Sequence, residues 1–313
     1  MIGRKKSIQG IITALVTPFH PDGSLDLAIF DRLIRDQIDA GVSAIIPCGT
    51  TGESPTLSNE EKKALISEAI RICRGSSTAV IAGTGSNNTQ ETVALSRWAS
   101  QEGADAVLVV TPYYNKPSHA GMLTHFLQVA DAVQCPVMLY NVPGRTGVSL
   151  SPETATKLSL HPRIRFLKEA SGNVALTSEF LDQLRLAGSS LEVFSGDDAT
   201  FLPLLSVGAK GVVSVASNLF PRAMIQIQSL FDEGKNSEAQ RIHQHYYPLF
   251  RDLFIESNPV PIKLSLAHVS ESPAGTLCGE TVRAPLAPIS DENRRRLESS
   301  LARCGFRPGG GTL

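Results

Sequence analysis

Short apolar runs alternate along the chain with longer segments in which apolar residues recur at helical spacing. The runs are continuously apolar, which is typical of parallel strands that are buried on both faces. An amphipathic segment follows each run, so the pattern reads as strand and helix in alternation. The eight predicted strands cover 10–17, 44–48, 79–83, 106–111, 136–142, 164–168, 192–195 and 211–216.

The segments between the runs carry helix signals. Their apolar periodicity predicts helices over 27–40, 60–74, 89–102 and 123–133. Asp26, Ser58 and Ser151 are suited to cap helices, with Glu61 completing a capping box after Ser58 and Pro152 following Ser151. Eight consecutive strand–helix units predict an α/β fold, a (β/α)8 TIM barrel over residues 1–234. A doubly wound open sheet rarely has eight such repeats in a row.

Beyond Gly234 the strand signals stop and helical patterns continue. Helices are predicted over 237–256, 260–269 and 291–304. We expect residues 235–306 to form a C-terminal helical extension packed on the barrel, rather than a separate binding domain. The glycine-rich residues 307–313 are predicted to be a disordered tail.

Composition excludes several classes of partner. The chain has 29 basic and 30 acidic residues and a net charge of -1, so it has no electrostatic footprint for nucleic acid or for an anionic membrane. Its five cysteines are scattered and form no C-x-x-C pair, which indicates reduced thiols in a cytoplasmic protein. The apolar stretch 8–16 is short and interrupted by Gln9 and Gly10, so we interpret it as the first strand and not as a signal peptide.

The candidate chemistry lies where the predicted strands end, because the active sites of TIM barrels form at the carboxyl ends of their strands. Lys168 ends the sixth predicted strand, and a lysine amine on such a rigid support can form a Schiff base with a ketone. Hydroxyl groups, Arg145 and Lys168 converge on this edge. The segments concerned are 49–54, 111–117, 140–147, 168–172 and 195–198.

Each of these features also has a purely structural interpretation. A lysine at a strand end is usually a solvated charge. The Gly-Thr-Thr-Gly sequence from Gly49 is a tight turn, although its backbone N–H groups could also hold a carboxylate. Tyr113 and Tyr114 could be packing or interface aromatics, and Arg145 could make only a surface ion pair. The spacing of His243 and His245 is poor for a metal pair on a helix, and the chain has no nucleotide-binding or hydrolase motif.

Four of these segments together resemble the pyruvate-dependent class I aldolases, the family that includes N-acetylneuraminate lyase. The resemblance extends from about Gly10 to about Ser290. Within the family, Arg145 and the Thr50-Thr51 pair favour the members that use L-aspartate 4-semialdehyde, since the sugar-acid and sialic-acid lyases generally lack that arginine. The motifs are G-T-T-G-E from Gly49, Y-Y-N-K-P from Tyr113, Y-N-V-P-x-R-T-G from Tyr140 and K-E-A-S-G from Lys168.

The resemblance implies a catalytic role for each matching residue. Lys168 would form an imine with pyruvate, and Tyr140 would move protons. Thr50 would link Tyr140 to Tyr114, which in this family comes from the neighbouring subunit of a homodimer or homotetramer. The resemblance also implies a lyase of lysine and diaminopimelate biosynthesis that produces 4-hydroxy-tetrahydrodipicolinate, with no metal and no cofactor apart from the covalent imine.

Further positions match the family's binding sites. Thr51 would bind the pyruvate carboxylate, Arg145 would bind the semialdehyde, and Gly196 and Val213 would line the site with their carbonyl groups. Some relatives are inhibited by lysine, and their effector pocket is matched here by Ser54, Asn87, Glu91 and Tyr113. Asn59 and Lys62 stand where sensitive members often have histidine, so weak or absent inhibition is expected.

Two alternatives stay open from the residues alone. Another lyase of this family that forms or uses pyruvate would share the fold and Lys168, since neither sets the acceptor. A non-catalytic barrel is the second alternative, although such a protein would have no chemical reason to keep Lys168, Tyr140, Thr50 and Tyr114 together.

Overall fold

The computed structural model describes residues 6–269 and 278–307. Within these residues eight parallel strands form a closed barrel in which each strand pairs with the next and the last pairs with the first. The predicted TIM barrel is therefore confirmed. The strands are β1 Gly10–Ala14, β2 Ala44–Ile46, β3 Ala79–Gly83, β4 Ala106–Val110, β5 Val137–Asn141, β6 Ile164–Glu169, β7 Glu192–Ser195 and β8 Gly211–Ser214.

Helices follow the strands on the outside of the barrel and continue after β8. The helices are α1 Leu27–Ala40, α2 Asn59–Ile72, α3 Thr89–Glu102, α4 His119–Ala132, α5 Pro143–Thr146, α6 Pro152–Leu158, α7 Val174–Leu186, α8 Phe201–Val207, α9 Pro221–Asp232, α10 Asn236–Asp252, α11 Val260–Val269 and α12 Asp291–Arg303. Among the described residues, no helix is both long enough and apolar enough to cross a membrane.

The predicted caps are confirmed, but some boundaries are wrong. Asp26 and Ser151 accept hydrogen bonds from the first turns of α1 and α6, and Ser58 with Glu61 forms the capping box of α2. Helix α4 begins at His119, one turn before the predicted residue 123, because Ser118 caps it. Helix α10 ends at Asp252 and not at residue 256. Residues 308–313 of the predicted tail lie outside the described residues.

The core has two parts. One lies between the strands and the surrounding helices. The other fills the barrel interior with side chains from alternate strand positions, as expected for a packed barrel and not a pore. Phe166 on β6 and Phe194 on β7 meet edge to face there, with ring centroids 6.0 Å apart. Because side chains alternate along a strand, Lys168 lies on the same interior face as Phe166, one step nearer the carboxyl end.

Candidate active site

Lys168 and Tyr140 are paired across adjacent strands. The register of β5 and β6 places Tyr140 opposite Lys168. Both residues are buried, and Nζ of Lys168 lies 4.1 Å from the centroid of the Tyr140 ring. No hydrogen bond or ion pair of this amine occurs among the described residues. Within the described part of the chain, the amine is therefore held in place by packing alone at the edge of the barrel interior.

A glycine makes room for this lysine. A Cβ atom on Gly196 would lie 3.1 Å from Cε of Lys168 and 2.5 Å from Cβ of Ala170. The N–H of Gly196 donates to the Glu169 carbonyl at 2.7 Å, so the segment after β7 lies close against the end of β6. Val213, on β8, is buried in the barrel interior. The absence of a side chain at position 196 thus preserves the space beside the amine.

The turn from Gly49 to Glu53 follows β2 and carries the two adjacent threonines. Within the turn, the N–H groups of Gly52 and Glu53 donate to the carbonyls of Gly49 and Thr50. The N–H groups of Thr50 and Thr51 make no hydrogen bond among the described residues, so they remain available to an anion. The hydroxyl oxygen of Thr51 accepts a hydrogen bond of 2.9 Å from the side chain of Asn258.

Two adjoining cavities open at this end of the barrel. The first, of about 440 Å³, reaches from Thr50 and Tyr140 towards Tyr113. The second, of about 410 Å³, contains Lys168, Thr51 and Gly196. They share four lining residues, Thr50, Tyr140, Val142 and Arg145. Arg145 is exposed near the end of the short helix α5 and makes no ion pair within the part of the chain that the structure describes. Its guanidinium is therefore free to clamp a carboxylate of a ligand that occupies the second cavity.

Glu169 does not face the cavity with Lys168, since neighbouring residues on a strand point to opposite faces. Its carboxylate is buried and accepts hydrogen bonds of 2.7 Å from the side chain of Asn141 and from the N–H of Ser171. Asn141 in turn accepts from the N–H of Leu150 at 2.8 Å. Glu169 is thus a structural charge, and through Asn141 it holds both ends of the loop that carries Arg145.

Two aspartates follow β7. Burial raises the pKa of Asp198 to about 6, although the N–H groups of Val215 and Ala216 donate to its Oδ2. Its Oδ1 is buried and has no hydrogen-bond partner among the described residues. Burial also raises the pKa of Asp197, which lines the second cavity. Asp198 joins the loops after β7 and β8 and so fixes the edge that holds Gly196 and Val213.

The predicted effector residues lie together. Ser54, Asn87, Glu91 and Tyr113 line the first cavity, and Lys62 lines it with them. Asn59 is not among its lining residues. Tyr114 lies apart from the amine of its own chain, because this residue is 89% exposed and lines neither cavity. The structure therefore places every predicted site residue around one connected space except Tyr114, Val213 and Asn59.

The C-terminal part contributes residues that the sequence did not indicate. Tyr247, Phe250, Arg251, Phe254 and Asn258 all line the second cavity. Lys263, in the middle of α11, forms a fully buried ion pair with Glu53. A single lysine in the mostly apolar segment 260–269 is the one sequence signal that could have indicated a buried acidic partner.

Together these features define a TIM-barrel enzyme whose site is built around one buried lysine amine. The chain belongs to the dihydrodipicolinate synthetase family, whose model matches residues 7–304. The resemblance to pyruvate-dependent class I aldolases is thereby confirmed.

Known proteins resemble the chain over almost its full length. The 4-hydroxy-tetrahydrodipicolinate synthase of Leptospira biflexa is 43% identical over 283 residues, which cover 90% of this chain and 92% of that protein. The structure of the synthase from Methylacidiphilum fumariolicum SolV has a TM-score of 0.90 and 44% identity, and the match covers 96% of each chain. The dihydrodipicolinate synthase of Acinetobacter baumannii, solved with pyruvate, has a TM-score of 0.89 and 38% identity, and the match covers 96% of this chain and 100% of that one.

Proposed function

We propose that the chain is a lyase that condenses pyruvate with L-aspartate 4-semialdehyde and forms 4-hydroxy-tetrahydrodipicolinate, a step of lysine and diaminopimelate biosynthesis. The observation that carries this proposal is the buried Lys168 amine beside Tyr140, in a cavity that also holds Thr51 and Arg145. Among the described residues this amine has no acceptor and the Arg145 guanidinium has no ion-pair partner, and with hydroxyl groups beside them they suit a keto acid and a second carboxylated substrate.

The reaction begins with pyruvate. The Lys168 amine attacks the ketone carbon, and water leaves as the imine forms. Loss of a methyl proton then gives the enamine, because the imine nitrogen accepts the electron pair. Tyr140, whose ring lies against the amine, moves protons in these steps. Thr51 binds the pyruvate carboxylate with its hydroxyl and the adjacent N–H groups, and the carbonyl of Gly196 lines the site. The covalent imine takes the place of a metal or cofactor.

The acceptor binds through Arg145. Its guanidinium offers two parallel hydrogen bonds to the semialdehyde carboxylate. The enamine carbon attacks the aldehyde carbon, and the aldehyde oxygen becomes a hydroxyl group. The amine of the semialdehyde then attacks the imine carbon and displaces Lys168, which closes the ring and frees the enzyme.

Tyr114 acts from a neighbouring subunit. Its exposed position at the edge of its own site suits a side chain that reaches across a homodimer or homotetramer, where Thr50 connects it to Tyr140. Light scattering should show a dimer or tetramer, whereas a strictly monomeric active enzyme would refute this arrangement.

We place the enzyme in the cytoplasm, where its five unpaired cysteines stay reduced.

Regulation by L-lysine is weak or absent. Lys62 lines the first cavity together with the predicted effector residues. Its ammonium group repels the ammonium groups of lysine, and this opposes the attraction of Glu91. Inhibition by sub-millimolar L-lysine would contradict this proposal.

The acceptor is tested by the rate of condensation with L-aspartate 4-semialdehyde, coupled to reduction of the product by the next enzyme. We expect a robust rate with the wild-type chain. In Arg145→Lys the KM for the semialdehyde should rise by about tenfold or more while the KM for pyruvate stays unchanged, because one bidentate contact is lost. Folded wild-type protein without a rate would direct the search to other aldehyde acceptors.

A further inference from the structure

The turn with Thr50 and Thr51 is held by residues more than 200 positions later in the chain. Asn258 donates to the hydroxyl oxygen of Thr51 at 2.9 Å. Two residues further along the turn, Oε1 of Glu53 accepts from Nζ of Lys263 at 2.5 Å. Its Oε2 accepts from the N–H of Arg283 at 3.0 Å. Every polar side-chain atom of Glu53 is therefore bound by the C-terminal part of the chain.

The ion pair between Glu53 and Lys263 is completely buried, with both side chains 0% exposed. The Lys263 amine also donates to the carbonyl of Thr281 at 2.7 Å and lies 4.3 Å from the centroid of the Phe19 ring. The guanidinium of Arg283 lies at the same distance from that ring. With a carboxylate, a carbonyl and an aromatic face around it, the Lys263 amine is fully engaged and is not a second nucleophile.

Glu53 itself has an unusual backbone. Its φ of 55° lies in the left-handed region, which a residue other than glycine seldom adopts unless its surroundings fix it. The same conformation directs the chain from the threonines into the short helical turn at Ser54–Thr56. The hydrogen bonds to the Glu53 carboxylate therefore also fix the backbone conformation of the turn.

Stability alone does not account for a buried ion pair here. Two apolar residues of similar volume often serve as well or better, because removing charges from water is costly. A buried pair does fix geometry, since its hydrogen bonds are satisfied in only one arrangement. The arrangement fixed by Glu53 and Lys263 is that of the turn at the edge of the Lys168 cavity.

We propose that Lys263 and Glu53 are positioning residues that hold the Thr50–Thr51 turn in the conformation that receives the pyruvate carboxylate. This inference rests on the proposed function, because it assigns the turn to pyruvate. On this proposal the C-terminal part of the chain stabilises the active-site turn in addition to packing against the barrel. Losing the pair should weaken pyruvate binding and leave the semialdehyde site at Arg145 intact.

The test compares Lys263→Met, Glu53→Gln and the double variant of the two. Each single variant leaves one buried charge or one polar group without its partner and should unfold more easily. The double variant removes both charges and should recover most of the stability. Its uncharged side chains cannot reproduce the charge-assisted hydrogen bonds, so the turn stays loosened.

The readout is the pyruvate concentration at which half of the folded protein is trapped by borohydride as a reduced imine, together with the two KM values. This concentration does not depend on how much of a sample is folded. We expect it to rise by about tenfold in the double variant, together with the KM for pyruvate, while the KM for the semialdehyde stays within about twofold. Ser300→Ala is the control, since it removes a buried hydrogen bond of 2.6 Å to Asp252 between C-terminal helices without touching the turn.

The outcomes separate the two proposals. If wild-type protein traps no pyruvate, the proposed function fails. If the wild type traps pyruvate and the double variant does so at the same concentration, the function stands and the positioning role is overturned. A rise of the same size in Ser300→Ala would also overturn it, because general loosening of the C-terminal part would then explain the effect.

Discussion

The side chain of Asn141 donates a hydrogen bond of 2.7 Å to Glu169, one position beyond Tyr140 and Lys168 on the same two strands. In the proposed mechanism the inward pair, Tyr140 and Lys168, carries the chemistry, and the outward pair, Asn141 and Glu169, joins the two strands by a side-chain hydrogen bond. Because the side chain of Asn141 also accepts from the N–H of Leu150, the same hydrogen-bonded network holds the loop that carries Arg145.

Replacing Glu169 by Ala should therefore damage the site indirectly. The side chain of Asn141 and the N–H of Ser171 would lose a buried acceptor, which should lower the free energy of unfolding by about 2 kcal/mol. The KM for the semialdehyde should rise because Arg145 is less well held. Urea unfolding and steady-state kinetics measure the two effects. A variant with the wild-type free energy of unfolding and the wild-type KM would show that Glu169 does not hold this loop.

Gly196 should not tolerate a side chain. An added Cβ would meet Ala170 at 2.5 Å and Lys168 at 3.1 Å, so Gly196→Ala must move one of them. We expect imine formation to slow by up to about 100-fold, since small displacements of a reacting group are costly. Gly279→Ala is the control, because its new Cβ would have its nearest neighbour at 3.8 Å. Equal rates of imine formation in the two variants would show that Gly196 has no such role.

Asp198 should make stability depend on pH. Burial raises its pKa from an ordinary value of 3.8 to about 6 in the folded protein. Between these values the folded state binds the proton more tightly than the unfolded state, so stability falls as the pH rises through this window. The loss should reach up to about 3 kcal/mol by pH 7.

Asp198→Asn removes this titration and keeps an acceptor for the N–H groups of Val215 and Ala216. The stability of the variant relative to wild type should therefore increase from pH 4 to pH 7. Denaturant unfolding across that range measures the difference. A constant difference would mean that Asp198 titrates normally.

Much of the fold could be predicted from the local pattern of apolar residues in the sequence. The eight apolar runs became the eight strands, since a strand buried on both faces must be apolar throughout. The ends of the runs were less accurate. Residues 15–17 and 47–48 were predicted to belong to the first two strands but lie beyond them, because the chain turns there into the loops after β1 and β2. Ser118 was missed as a cap because Gly121 interrupts the apolar pattern in the first turn of α4.

Only part of the candidate site could be predicted from the sequence. Its residues at strand ends could be collected because barrel topology brings all strand ends to one edge. The contacts of Asn258 with Thr51 and of Lys263 with Glu53 join residues 207 and 210 positions apart, and no local pattern identifies such distant partners. The space beside Lys168 was also hidden, since only the fold shows that Gly196 approaches it.

The most direct test of the account is to treat the protein with pyruvate and borohydride and to locate the adduct by peptide mass spectrometry. Hydride transfer to the imine carbon turns the imine into a stable secondary amine on the lysine that formed it. We predict one adduct per chain, on the peptide that contains Lys168. We predict no adduct in a Lys168→Ala variant that circular dichroism shows to be folded. An adduct on Lys263 or another lysine, or full condensation activity in Lys168→Ala, would contradict the account.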